Sequence, residues 1–204
     1  WSANKLEEQV SFLDSNAHCP AVYTNAAVIN EEGMEIGIFN NPQPNFIDLC
    51  YLTKNGNFLL HSSLMYRSLY RFSLDSLPDQ FIDYQIHIKF AKIGQLGYLN
   101  SKHAFYRFNV AGSLSNQNGG DRIRPLYWSA LTEITDGDAS KCCKVNALSN
   151  FLAKTCIFYL LTGNRKNIKK WANIVRSECS PGQFIAVLVK SAAIIVYMAL
   201  RKTV

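Results

Sequence analysis

The texture of the chain changes near residues 120–140, and that change restricts the fold more than any other feature. Before it, short β-forming runs alternate with turn signals and helical stretches; beyond Arg124 every segment reads as helix. The expected architecture is an α/β portion over residues 1–120 followed by an α-helical region over residues 121–204. A chain of 204 residues has room for one full domain, or for one domain with a smaller appendage. With 48% hydrophobic and 18% charged residues, the composition excludes a disordered or fibrous protein.

Local signals place the elements. Asn4-Lys5-Leu6-Glu7 has the form of a capping box, and Leu6, Val10 and Leu13 follow at helical spacing, which predicts a helix with one apolar stripe. Residues 21–29 and 34–39 read as a strand pair around Asn30-Glu31-Glu32-Gly33. A Pro-bearing loop covers residues 40–45, a short helix residues 46–52, and a buried strand residues 58–60. Residues 83–93 alternate like a strand, yet Asp83 suits an N-cap and Gly94 a left-handed helix end, so a helix is expected. Two short strands, 96–99 and 104–108, and a loop at 116–121 precede helices over residues 126–135, 141–162, 167–179 and 183–202.

Charge divides the chain as sharply as texture does. Residues 141–204 carry eleven Lys or Arg against Glu178 alone, whereas residues 1–140 are net acidic within a total of +6. The basic region favours an anionic surface such as lipid headgroups. Aromatic-basic interleaving is lacking, so nucleic acid is not expected as a partner. The run 184–200 is apolar except for Lys190 and Ser191, which leaves two readings: a buried bundle helix, or a helix inserted in a membrane interface with Arg201 and Lys202 at the headgroups. Six cysteines, none in a C-x-x-C pair, read as free thiols in a reducing compartment rather than a zinc site. The opening WSANKLEEQV resembles neither an initiator sequence nor an export signal, and the chain is expected to start in mid-protein.

Five segments in order carry a resemblance: Trp1 with KLEEQVSFLDSN, then AVYTNAAVINEEG, NFLLHSSLMYR, DYQIHIKFAKIGQLGYL and FYRFNVAGSLS. Over residues 1–115 the chain resembles family-2 glycosyltransferases of the GT-A fold, particularly bacterial enzymes of surface-polysaccharide and lipid-linked glycan synthesis. The resemblance implies the acceptor-side portion of a GT-A mixed-sheet domain, with the nucleotide-holding half and its acidic metal motif upstream of Trp1. Such a fragment alone would not turn over. The implied full-length enzyme is an inverting transferase that uses Mg²⁺ or Mn²⁺ and a nucleotide-sugar donor. Its acceptor would be a hydroxyl of a glycan or of a polyprenyl-diphosphate-linked sugar, and it would work in the cytoplasm or peripherally at the inner membrane face.

The same resemblance assigns roles. Asp83 falls where the family places its catalytic base, against the alternative of an ordinary N-cap; Asp79 is a rival, and Ile82 replaces an acidic residue common in relatives. His61, Ser62, Ser63, Tyr66 and Arg67 match the segment lining the acceptor side, the alternative being a strand end with Arg67 capping a helix. Arg107 begins a pattern near the diphosphate, in which Asn109 replaces the family's histidine ahead of Ser113 and Ser115. His18, His87 and His103 form no constellation on sequence grounds and read as surface or core residues. A function of another class stays open: a non-catalytic glycan-binding or scaffold protein derived from the same fold.

Overall fold

A computed structural model of the chain describes residues 2–107, 120–135 and 140–201. Trp1, Asn109, Ser113, Ser115, most of the 116–121 loop and Lys202 lie outside the described residues. Two compact units are present: Trp1–Leu52 with Asn57–Asp121, and Thr53–Gly56 with Arg122–Val204.

The first unit is built on a mixed sheet. Strand β1 (Ala21–Ile29) is buried over its first seven residues, as expected for a near-continuous apolar run covered on both faces. It pairs parallel with β5 (Leu96–Arg107) and antiparallel with β2 (Glu35–Ile38) and β4 (Met65–Tyr66), while β3 (Phe46–Ile47) closes the other side of β5. The two strands expected at 96–99 and 104–108 are one strand, because irregular pairing opposite Thr24, Asn25 and Ala26 absorbs the exposed Asn100-Ser101-Lys102 stretch.

β2 and β4 flank the same edge of β1, one at each end. Between them, side chains take over the hydrogen bonding. Ser63 Oγ accepts from the Thr24 amide at 3.1 Å, Asn25 Oδ1 accepts from the Asn40 amide at 3.1 Å, and Asn25 Nδ2 donates to the Asn40 carbonyl at 2.8 Å. No strand forms at residues 58–60; the chain bends there into a 3-10 turn, His61–Ser63, whose Ser63 amide bonds the Leu60 carbonyl.

Helix α1 (Lys5–Ser15) buries a different face from the one its apolar residues mark. Leu6 and Val10 are 56% and 48% exposed, whereas Lys5, Gln9 and Leu13 are buried. Polar reach decides the matter: Gln9 Nε2 donates to the carbonyls of Ser63 (2.8 Å) and Val22 (3.3 Å), and Lys5 Nζ donates to Gln9 Oε1. Asn4 precedes the helix without a side-chain capping bond.

After a short helix, α2 (Leu49–Asn55), and a single turn, α3 (Phe72–Asp75), comes α4 (Asp83–Ile93). Seven of its residues are buried, from Tyr84 to Ala91, which explains why its sequence fits two periodicities. The expected helix end is corrected. Gly94 has extended backbone (φ −173°), and what it supplies is room: a Cβ there would lie 2.5 Å from the His18 carbonyl oxygen.

The second unit is helical: α5 (Gly120–Thr135), α6 (Lys141–Leu161), α7 (Arg165–Ser177) and α8 (Pro181–Arg201). Ser140 Oγ caps α6 by accepting from the Cys143 amide, and α6 is buried along most of its length. Trp128, Phe151 and Trp171 join α5, α6 and α7 with ring centroids 5.2–6.0 Å apart, each pair adding about 0.5–1.5 kcal/mol beyond its burial.

α8 is not a core helix. Val187 and Ser191 are buried, with Ser191 Oγ bonded to the Ser149 carbonyl of α6, but only 11% of its apolar window is buried. By length and composition it could cross a membrane. The cysteines differ in part from expectation: Cys19, Cys142, Cys156 and Cys179 are free thiols, and Cys50 and Cys143 are not.

Candidate functional site

The site is assembled around the first turn of α4. Ile82 occupies the N-cap position, and its amide is satisfied by Gln85 Oε1, which reaches back at 3.3 Å. Asp83 is therefore the first helical residue rather than the cap expected from sequence. Its carboxylate is exposed and makes no hydrogen bond among the described residues, yet it lies at the positive end of the helix.

One turn on, and so on the same helix face, stands His87. It is fully buried, meets Tyr23 of β1 edge-on with ring centroids 5.0 Å apart, and shares a 3.1 Å hydrogen bond between its Nδ1 and Asn57 Oδ1. Because a carboxamide oxygen accepts, the imidazole proton sits on Nδ1 and Nε2 is left as an acceptor. His61 lies beside it, 5.9 Å between centroids.

Three atoms of this group are buried without a hydrogen-bond partner: Tyr23 Oη, His61 Nδ1 and His87 Nε2. Leaving such atoms unsatisfied costs about 1–3 kcal/mol each, and the three are sealed from solvent in one place. Burial, with His61 adding to it, lowers the His87 pKa to about 3, so this imidazole is neutral at physiological pH. Burial and then the Asp83 charge push the Tyr23 phenol well above its ordinary range, keeping it a proton donor. The arrangement is an exposed carboxylate near a buried phenol donor and a buried neutral imidazole.

The other residues picked out from sequence lie as follows. Ser62 is exposed. Ser63 is buried, and its hydroxyl is committed to the Thr24 amide and the Leu60 carbonyl. Tyr66 stacks on Phe90 at 5.1 Å. Arg67 spends its guanidinium on the carbonyls of Leu13, Asn16 and Cys19 at the end of α1, the helix-capping alternative left open by the sequence.

Arg107 pairs with Ile29 at the far end of β1 and donates to the Glu31 carbonyl at 2.7 Å. Six residues of strand separate Tyr23 from Ile29, about 20 Å by strand rise, so Arg107 is not brought to the Asp83 group. His103 bridges Ser2 Oγ and Glu8 Oε2 and ties the start of α1 to β5.

Sequence reasoning missed Tyr23, Asn57 and His87. One signal was available: Asp83 and His87 stand four apart in a single helix, a spacing that places both on one face. Among the described residues no group of three or more His, Cys, Asp or Glu could hold a metal ion. No known protein family matches the chain, and neither curated proteins nor solved structures give a significant match.

Proposed function

We propose that the chain is the acceptor-side part of an inverting, nucleotide-sugar-dependent glycosyltransferase similar to family 2, with Asp83 as the catalytic base. The observation that carries this reading is the Asp83 carboxylate, exposed and without a hydrogen bond among the described residues, close enough to Tyr23 for its charge to act on the phenol. Transfer to a hydroxyl needs an unencumbered base for the acceptor proton and polar groups to fix the sugar. Asp83 supplies the first, and the resemblance gives the second to the exposed Ser62 and the half-buried His61. The parallel β1–β5 pair, with α4 leading directly into β5, supports a GT-A arrangement.

Within this reading the acceptor is a glycan or a polyprenyl-diphosphate-linked sugar, and the helical unit holds the enzyme at the cytoplasmic face of a membrane. A diphosphate role for Arg107 rests on the resemblance alone, and no step is assigned to a metal ion. The decisive test is turnover of the full-length protein carrying Asp83→Asn. A fall in kcat of about 10²-fold or more, with an unchanged melting temperature, is expected; near-normal turnover would remove Asp83 as base.

Ile82, in place of an acidic neighbour, favours the second reading, a glycan-binding protein without chemistry. In that case the wild-type protein would bind glycan without turnover, and Asp83→Asn would bind equally well.

A further inference from the structure

The helical unit holds a hollow of about 570 Å³ where residues 53–56 face α6 and α8. Lys54, Lys154 and Lys190 line it together with Asn146 and Asn150, and among the described residues no carboxylate does. Its frame is built. Asn150 Nδ2 donates to the Lys54 carbonyl at 2.9 Å, and Lys190 Nζ donates to Asn146 Oδ1 at 2.7 Å. Gly56, at φ +77°, passes so close that a Cβ there would lie 2.7 Å from Lys154 Nζ.

Lys154 makes no hydrogen bond or ion pair among the described residues. Burial, and then Arg124, hold its pKa below the usual lysine range. Arg124 itself lies over the rings of Tyr127 and Phe158, with its Nε buried and unpartnered. Desolvated cations without counter-charges are costly and call for an anion. α8 also brings the apolar Ile194, Tyr197 and Met198 to the hollow, and Tyr197 is itself exposed. Positive charge and hydrocarbon side by side match a phosphate that carries an apolar tail.

We propose that this hollow takes the phosphate of an anionic lipid, whose chains run along α8 as that helix lies in the membrane interface. The proposal deepens the membrane part of the reading above and is independent of Asp83.

The test is sedimentation of the full-length protein with phosphatidylcholine vesicles, with and without phosphatidylglycerol, in the presence and absence of inorganic phosphate. Lys154→Gln and Lys190→Gln should each weaken binding to the anionic vesicles by about fivefold and leave binding to neutral vesicles unchanged, while wild-type binding resists competition by inorganic phosphate. Lys190 is exposed, so its variant reports even if Lys154→Gln impairs folding. Unchanged binding in both variants overturns the proposal, and so does full displacement by inorganic phosphate, which would make a free anion the ligand. Loss confined to a Lys166→Gln, Lys169→Gln, Lys170→Gln triple variant would also overturn it while leaving general membrane attachment intact.

Discussion

His87 is the residue on which the first unit's response to acid should turn. Its folded pKa of about 3 lies below the ordinary 6.5, so between those values the unfolded chain binds the extra proton. The stability this residue contributes is complete above pH 6.5 and is lost as pH falls toward 3. From pH 7 to pH 4.5 the loss attributable to it is about 2–3 kcal/mol. The groups that touch it, Tyr23, His61 and Asn57, carry no carboxylate, and Asp83, one turn away, does not offset the burial. His87→Phe keeps a ring against Tyr23 and removes the titration. Urea midpoints measured across this range should flatten in the variant, and an unchanged slope would show the proton uptake to be elsewhere. Arg67 acts at the same scale: Arg67→Met strips three carbonyls at the end of α1 of their donor and should lower stability by about 2–3 kcal/mol in thermal unfolding.

At the scale of elements, two glycines show how closely α1, α4 and β5 approach. A Cβ on Gly94 meets the His18 carbonyl, a piece of backbone, whereas one on Gly97 meets the ring of Phe12. Each alanine substitution should cost about 1–3 kcal/mol through overpacking. In a Phe12→Ala background the Gly97→Ala penalty should shrink while that of Gly94→Ala persists; equal behaviour in a double-mutant cycle would refute this account. Such approaches also explain what the sequence could convey. Residues 21–29 announce a strand because their uniform burial leaves an uninterrupted β-forming run, and the helices beyond residue 140 announce themselves by length. α1 misleads because its buried face is chosen by Gln9 reaching carbonyls 13 and 54 residues away, which no local periodicity records. Asp83 is visible as a helix-start carboxylate, but Tyr23 and His61 join it only through tertiary packing. Ile82 displaces Asp83 from the cap because Gln85, not the N-cap side chain, satisfies the first amide.

At the scale of the whole molecule, the separation of acidic and basic regions should appear as a salt effect. Raising ionic strength shortens the Debye length from about 10 Å at 0.1 M to about 3 Å at 1 M. Binding to anionic vesicles should weaken steeply over that range while the melting temperature, set mainly by burial, moves little. A parallel fall of both would mean that salt acts on the fold rather than on the contact. The closed edge of β1 has a further consequence, for the route by which the chain reaches its fold. Ala21–Ile29 is a nine-residue, uncharged, β-prone segment, and its main partner β5 lies some seventy residues later in the chain. Until β5, β2, β4 and the Ser63 and Asn40 contacts arrive, that segment is open to pairing with another copy of itself. Refolding yield should therefore fall as protein concentration rises, even though the finished molecule presents little of this strand to a neighbour.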